Sequence, residues 1–441
     1  MKTTVDIYNN IERFLEQKAV IFFSKTKQLE VTKDNYLVSS FLLEEAHGAD
    51  NLPFGSVTSN ELTLQLYNEN DIFTPTNKKS IYYGLMKKGI KVELYIRPVV
   101  DEGTEEYDWD PLGTFYVTDW KASITNTTAT IIFNDIMYEL FKKDIKDMPV
   151  QLNITQQAFY ERIFKKLDIP ANIDNTLKEV LTYAYVDKNT KEVLTELNMS
   201  SLSDCFCNHV GEIIIKSINN INDPPILITD ENQIISANIE QSLTYDYDGI
   251  NLKYNLPQES QIQNVLELKG VSIARGITSL NNVTLTGAPL FKLCASILNN
   301  EVCEIDSIEA STHIANITFN NKGDDTVICD LTLLGTLLQN NEVTIGLESP
   351  TSYNITNLYI QSKKHAQKIY DKLKAYISNM LPVLELEIRG NPKFELGSII
   401  TAKSNKYKLE YTGILIKQTF EYDGSLKSNI TLLDINIMKG A

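Results

Sequence analysis

A β-rich fold is indicated by the run Gly113-Thr-Phe-Tyr-Val-Thr-Asp-Trp120, in which β-branched and aromatic residues dominate. After a short polar segment, Thr128-Ala-Thr-Ile-Ile-Phe133 continues in the same way, as in the second strand of a hairpin. Upstream, Glu61-Leu-Thr-Leu-Gln-Leu66 and Lys91-Val-Glu-Leu-Tyr-Ile-Arg97 alternate apolar and polar residues, which is typical of half-buried strands. The N-terminal part of the chain therefore predicts a small β-barrel or sandwich.

Helices are predicted over residues 5–17, 155–170, 200–207 and 362–380, and apolar residues recur every three or four positions in the first, second and fourth of these. Thr155 is a suitable N-cap for the second of these helices, because its side chain can accept a hydrogen bond from a backbone N–H of the first turn. Pro170 and Pro382 end the second and fourth helices.

The chain also contains a weak internal repeat. Residues 31–39 resemble residues 228–236 at an offset of 197, and residues 113–136 resemble residues 413–435 at an offset of about 300. Either match alone could be a chance likeness between two strand-turn-strand segments. Because both matches occur in the same order, they favour a duplicated β module with about 100 residues inserted into its second copy.

These patterns predict a mainly β (α+β) protein with two similar small β-barrel modules, a helical insert and a β-rich insertion. A length of 441 residues is enough for several domains. The predicted divisions are an N-terminal helix and first barrel module, a mixed helical connecting domain, a second barrel module in two pieces, and an α+β insertion that ends in an amphipathic helix: residues 1–147, 148–222, 223–257 plus 383–441, and 258–382.

Composition excludes several classes of protein. No apolar run reaches the roughly 18 residues of a membrane-spanning helix, and the N-terminus lacks the pattern of a signal peptide, so we expect no membrane anchor. Five cysteines are too few and too unevenly placed for a disulfide framework. A formal net charge of -16 would repel a nucleic acid duplex, so sequence-specific nucleic-acid binding is not expected.

No motif in the sequence predicts a catalytic, cofactor-binding or metal-binding residue. The four histidines lie far apart, at His47, His209, His313 and His365. Cys205, Cys207 and His209 form a dense group, but zinc needs four ligands and no second pair follows at a suitable spacing. The two cysteines are better interpreted as small buried apolar residues.

The sequence is compatible with two alternative functions. Acidic residues near Asp108 and Asp110 could supply paired carboxylates for cleavage of carbohydrate or peptidoglycan. Trp109 and Trp120 could instead serve as stacking platforms in a carbohydrate-binding module. A solvated acidic loop and a buried Trp120 are the simpler interpretations, and they predict a protein that is not an enzyme.

Several segments together resemble bacteriophage tail-tip or baseplate hub proteins. At the N-terminal side these are Asn51-Leu-Pro-Phe-Gly-Ser-Val-Thr-Ser-Asn-Glu-Leu62, Pro111-Leu-Gly-Thr-Phe-Tyr-Val-Thr-Asp-Trp120 and Phe133-Asn-Asp-Ile-Met-Tyr-Glu-Leu140. Near the C-terminus, Leu384-Glu-Leu-Glu-Ile-Arg-Gly-Asn-Pro-Lys-Phe-Glu-Leu-Gly-Ser-Ile-Ile400 is similar to the closing strands of that family. Ser398 departs from the pattern, because the family often has an acid after this glycine.

The resemblance implies a homotrimeric ring that joins the tail tube or distal tail protein to a central spike or tail fibre. DNA or the tape measure protein would pass through its channel, and the excess of carboxylates could line that channel or simply keep the outer surface soluble. Many relatives carry a C-terminal hydrolase, whereas this sequence ends after its last predicted strand, so a non-lytic form is expected. It would belong to a virion tail or a phage-tail-like particle and assemble in the host cytoplasm, without a cofactor.

Overall fold

The structure is a computed structural model. It describes residues 8, 14–32, 34–46, 54–99, 107–123, 127–218, 223–231, 233–241, 247, 249–286, 290–298, 301–347, 349–378 and 382–435. Most of these residues lie in strands, and no helix among them is long and apolar enough to cross a membrane.

The first module is an antiparallel sheet with the strand order β3-β4-β7-β6-β5-β1-β2. Its elements are β1 (Phe14–Phe22), β2 (Gln28–Thr32), β3 (Leu37–Ala46), β4 (Glu61–Tyr67), β5 (Lys91–Val99), β6 (Asp110–Ala122), β7 (Thr128–Asn134) and the short helix α1 (Ile136–Leu140). The strands predicted from alternation are confirmed, because Leu62, Leu64 and Leu66 are all fully buried on one face of β4.

The helix predicted over residues 5–17 is wrong at its C-terminal end. Residues 14–17 belong to β1, where Leu15 points into the core of the first module. Tyr8 is helical and fully buried, and the rest of the predicted helix lies outside the described residues. The spacing of four between Ile11 and Leu15 therefore does not reflect a shared helical face.

The connecting part contains β8 (Gln151–Thr155), α2 (Gln156–Leu167), β9 (Ala171–Ile173), β10 (Val180–Ala184), α3 (Thr190–Ser201), β11 (Ser203–Cys207) and β12 (Ile213–Ser217). The predicted cap of α2 is confirmed, since the Thr155 side chain accepts a hydrogen bond from the Ala158 N–H at 3.2 Å. The helix predicted over residues 200–207 is wrong: α3 ends at Ser201, and a fully buried strand follows. Such a strand shows no alternation that would distinguish it from a helix.

The remaining elements are β13 (Ile226–Thr229), β14 (Ile234–Gln241), β15 (Gly249–Glu259), β16 (Gln263–Ile273), β17 (Gly276–Thr284), β18 (Leu290–Leu298), β19 (Cys303–Ala310), β20 (Ile314–Asn321), β21 (Val327–Gly346), β22 (Ser352–Asn357), α4 (Lys363–Ser378), β23 (Pro382–Arg389), β24 (Ile399–Ser404), β25 (Leu409–Tyr422) and β26 (Leu426–Asp434). The predicted C-terminal helix is confirmed as α4. The prediction placed residues 249–257 in the second module, whereas β15 pairs with β21 and β22 of the inserted part.

The second module repeats the strand order of the first. Its strands run β14-β23-β26-β25-β24-β13, so β14, β23, β26, β25 and β24 take the places of β3, β4, β7, β6 and β5. The two modules differ at the end of the series, where β13 pairs with β24 in parallel. The predicted fold class, a mainly β (α+β) protein, is confirmed by a structure made mostly of strands in several sheets.

Candidate functional site: the junction between the two modules

The two modules are joined by direct strand pairing. The N-terminal half of β25 pairs with β24 inside the second module, whereas residues 417–422 of the same strand pair antiparallel with residues 41–46 of β3. The sheets of both modules thereby become one continuous 13-stranded sheet. Backbone hydrogen bonds across β3 and β25 fix the position of one module relative to the other.

Side chains of the second module also complete the core of the first. Phe420, Tyr422 and Leu426 are buried among the apolar residues of the first module. The Tyr422 ring stacks on Phe41 at a centroid distance of 5.8 Å, and its hydroxyl donates a hydrogen bond to the Leu15 carbonyl oxygen at 2.9 Å. The first module is therefore closed by a strand that it borrows from the second.

A buried histidine connects three parts of the chain at this junction. His209 follows β11 in the connecting part, and its Nε2 lies 3.1 Å from a carboxylate oxygen of Glu45 on β3. Its Nδ1 lies 3.0 Å from the carbonyl oxygen of Pro392, between β23 and β24 of the second module. The ring also packs edge-on against Phe420 of β25, at a centroid distance of 5.8 Å.

The geometry around His209 requires a charged ring. A carbonyl oxygen and a carboxylate can only accept hydrogen bonds, so both ring nitrogens must carry a proton to satisfy them. Burial alone would lower the pKa of His209, but the Glu45 carboxylate, together with the Glu395 carboxylate and the Pro392 carbonyl oxygen, outweighs this effect and raises the pKa to about 9. The pair is almost completely removed from solvent, with 3% exposure at each residue.

A second buried carboxylate, that of Asp135, lies near Glu45 at the junction. Asp135 caps α1 and accepts hydrogen bonds from the Met137 N–H at 3.0 Å, the Asn60 N–H at 2.9 Å and the Ser59 hydroxyl at 2.7 Å. Burial raises the pKa of Asp135 to about 7 despite these donors. The Asn60 side chain in turn donates to the Cys207 carbonyl oxygen at 3.2 Å, which ties β11 to the first module.

An ion pair holds the modules together at another point. Lys393 of the second module pairs with the carboxylate of Asp110 on β6, and the Tyr8 hydroxyl donates a hydrogen bond to the same carboxylate at 2.8 Å. Asp110 is buried and Asp108 is exposed. The Asp110 carboxylate is therefore engaged by Lys393 and Tyr8, and its ion pair with Lys393 links the two modules.

The two tryptophans contact residues of their own module. The Trp109 ring lies 4.4 Å from Lys18 Nζ and 4.4 Å from the guanidinium carbon of Arg97. The Trp120 indole N–H donates a hydrogen bond to the Phe73 carbonyl oxygen at 3.0 Å, and the ring is half-buried. Both rings are thus engaged by neighbouring side chains or backbone, as expected for structural residues.

The cysteine and histidine group suggested by the sequence is not brought together as a metal site. Cys205 and Cys207 are buried in the core of the connecting part, and burial raises the pKa of both thiols. His209 is engaged by Glu45 and Pro392 instead. Among the residues that the structure describes, no group of three or more histidine, cysteine or acidic side chains could hold a metal ion.

No protein-family model matches the sequence, and no curated protein matches it. Solved structures do. The 43 kDa tail protein of prophage MuSo2 from Shewanella oneidensis superimposes with a TM-score of 0.54 at 10% identity, covering 96% of this chain and 99% of that chain. The tail protein from Neisseria meningitidis MC58 gives a TM-score of 0.54 at 9% identity, covering 96% and 98%.

The chain has the fold of phage tail proteins. This confirms, at the level of the fold, the resemblance noted in the sequence. Prophage tail protein gp18 from Listeria monocytogenes EGD-e has a TM-score of 0.45 at 10% identity, covering 96% of this chain and 97% of that chain. The match to the first two structures covers nearly the whole chain, so the shared fold extends over both modules.

Proposed function

We propose that this chain is the structural hub of a phage tail tip or baseplate, in which three copies close a ring. The ring joins a six-fold tail tube or distal tail protein to a central spike or tail fibre, and DNA or the tape measure protein passes through its channel. The observation that carries this proposal is the repeated strand order of two modules within one chain.

The repeat gives a physical reason for a trimer. A six-fold tube presents six identical surfaces, which three identical chains cannot match one for one. Three chains with two similar modules each present six similar surfaces when they close into a ring. A trimer of this chain can thus contact a six-fold partner on one side and a three-fold spike on the other.

The role is structural rather than catalytic. Asp110, the buried member of the acidic pair, is occupied by Lys393 and Tyr8, and both tryptophans are engaged inside the first module. The hub would belong to the tail of a virion or of a phage-tail-like particle and would assemble in the host cytoplasm. In this role the channel carries nucleic acid without reading its sequence, consistent with the net charge of -16.

The mass of the assembled protein tests this proposal. Static light scattering over a series of concentrations should show a species of three chains, whose fraction grows with concentration. Negative-stain images of that species should show a ring with six similar lobes around a channel. A protein that remains monomeric at every concentration, or that forms a closed dimer, would contradict the trimeric hub.

A further inference from the structure

The two modules are joined by pairing of β3 with β25, and each module also has a strand that corresponds to one of these two but does not take part in this contact. By strand order, β14 holds the place of β3, and β6 holds the place of β25. Within the chain β3 has a partner on each edge, β4 and β25. Among the described strands β14 pairs only with β23, and residues 118–122 of β6 pair only with β7.

The register between the modules can be assigned residue by residue. Each module has one row of paired residues that crosses four strands, namely Leu43–Leu62–Phe133–Val117 in the first and Ile239–Leu384–Leu432–Leu415 in the second. Both rows end next to a bulge, after Val117 in β6 and after Leu415 in β25. In β6 this correspondence lies two residues from the one suggested by the sequence repeat, so the same set of alternate residues of β6 points to each face of the sheet under both alignments.

One residue of these rows differs sharply from its counterpart. Leu43 is fully buried, because Phe420 of β25 lies opposite it on the outer side. Ile239 is 62% exposed, although Ala237 on the same face of β14 packs against the core of the second module. An apolar side chain on an unpaired edge strand favours addition of another strand.

We propose that residues 238–241 of β14 in one copy pair antiparallel with residues 120–123, at the end of β6, in the next copy. Transferring the register of β3 and β25 puts Ile239 opposite Ala122 and Asn238 opposite Ser123 of the neighbouring copy. The second module of each chain would then be closed by a strand borrowed from the next, as the first module is closed by β25. This inference rests on the proposed trimer, and it identifies the surface that forms it.

The loop between β4 and β5 leaves this edge of β6 accessible to a strand. The loop contacts this part of β6 through Phe73, whose carbonyl oxygen accepts a hydrogen bond from the side-chain N–H of Trp120. The backbone contacts between this loop and β6 stop at Val117, which pairs with Gly89 and Ile90. Within the described part of the chain, no backbone hydrogen bond from this loop reaches residues 118–122.

Paired cysteines test the proposed register. In a Cys294→Ser background, which removes the exposed thiol, Asn238→Cys and Ser123→Cys are combined in one chain and oxidised. Directly opposed residues of antiparallel strands lie about 4.5–5.5 Å apart at Cα, within the range of about 4.4–6.8 Å for a disulfide. The matched control, Leu42→Cys with Glu421→Cys, places cysteines at the corresponding positions of the contact within the chain.

The expected products differ between the two variants. The 238/123 pair should give reductant-sensitive dimers and trimers on a gel, with the trimer as the limit, whereas the 42/421 pair should lose its thiols and stay at the mass of one chain. A trimer in solution without a 238–123 link would overturn the strand pairing and leave the hub standing. A cross-linked ladder beyond three chains would overturn the three-fold ring instead. A monomer without cross-links would overturn both.

A charge substitution gives an independent measurement. Ile239→Lys should raise the dissociation constant of the trimer by about tenfold or more, because pairing would bury an unpartnered ammonium group. Ile277→Lys is the matched control, since Ile277 is 73% exposed on β17 of the inserted part. Equal trimer dissociation constants for the two variants would contradict the proposed pairing of β14 with β6.

Discussion

The protonated state of His209 predicts how the stability of the junction depends on pH. The ordinary pKa of 6.5 rises to about 9 in the folded protein, because the Glu45 carboxylate, together with the Glu395 carboxylate and the Pro392 carbonyl oxygen, outweighs the effect of burial. A rise of this size corresponds to about 3 kcal/mol of folding free energy. Since the folded protein binds this proton more tightly than the unfolded chain does, the contribution is complete below pH 6.5 and is lost as the pH rises through 9.

Chemical denaturation at several pH values measures this effect. Both tryptophans, Trp109 and Trp120, lie in the first module, so their fluorescence follows unfolding of the module that contains Glu45. The difference in unfolding free energy between the wild type and His209→Gln should fall by about 3 kcal/mol from pH 6.5 to 9.5. The glutamine cannot take up a proton, so its own pH dependence over this window should be flatter.

A second histidine provides the control. Burial lowers the pKa of His365, so its titration lies below pH 6.5 and outside the window. His365→Gln should therefore retain the pH dependence of the wild type between pH 6.5 and 9.5. Parallel curves for the wild type and His209→Gln would refute the argument that the junction holds a charged histidine.

Other substitutions test individual contacts, each by its effect on the free energy of unfolding. Phe420→Ala should cost about 3–5 kcal/mol in urea denaturation followed by tryptophan fluorescence, because its ring is fully buried in the core of the first module. Thr155→Ala should cost about 1 kcal/mol by removing the cap of α2, and restoration by Thr155→Ser should recover most of it. Gly55→Ala should lower the melting temperature measured by circular dichroism, because Gly55 has a φ of 81° and a Cβ there would lie 2.6 Å from Met199 Cε. An unchanged melting temperature would contradict this.

The sequence predicted those parts of the fold that have a local signal. Alternation at Leu62, Leu64 and Leu66 was sufficient to identify β4, and a capping residue identified α2. It failed for β11, whose five residues are all buried and therefore lack any period. It also failed at Leu15, which lies in β1 and not in the helix that its spacing predicted.

The residues of the junction could not be found in the same way. Glu45, His209 and Pro392 lie far apart in the chain and share no spacing or motif. Only strand pairing and the packing of three parts of the chain bring them together. The internal repeat was the one sequence signal that bore on the junction, because it implied two modules that must meet somewhere. It did not show which strands would form the contact, since register depends on bulges that the sequence does not mark.

The proposed ring contains two kinds of joint, the pairing of β3 with β25 within each chain and the pairing of β14 with β6 between copies. These joints should differ in strength, although they use corresponding strands. The joint within the chain is reinforced by the charged pair of His209 with Glu45 and by the ion pair of Lys393 with Asp110. At the joint between copies, the register places Gln241 at the position of Glu45, so the carboxylate that holds the histidine has no counterpart there. Ala122 likewise replaces the large ring of Phe420. We therefore expect each chain to fold with its two modules firmly joined, and the ring to close later through three weaker contacts whose formation depends on concentration.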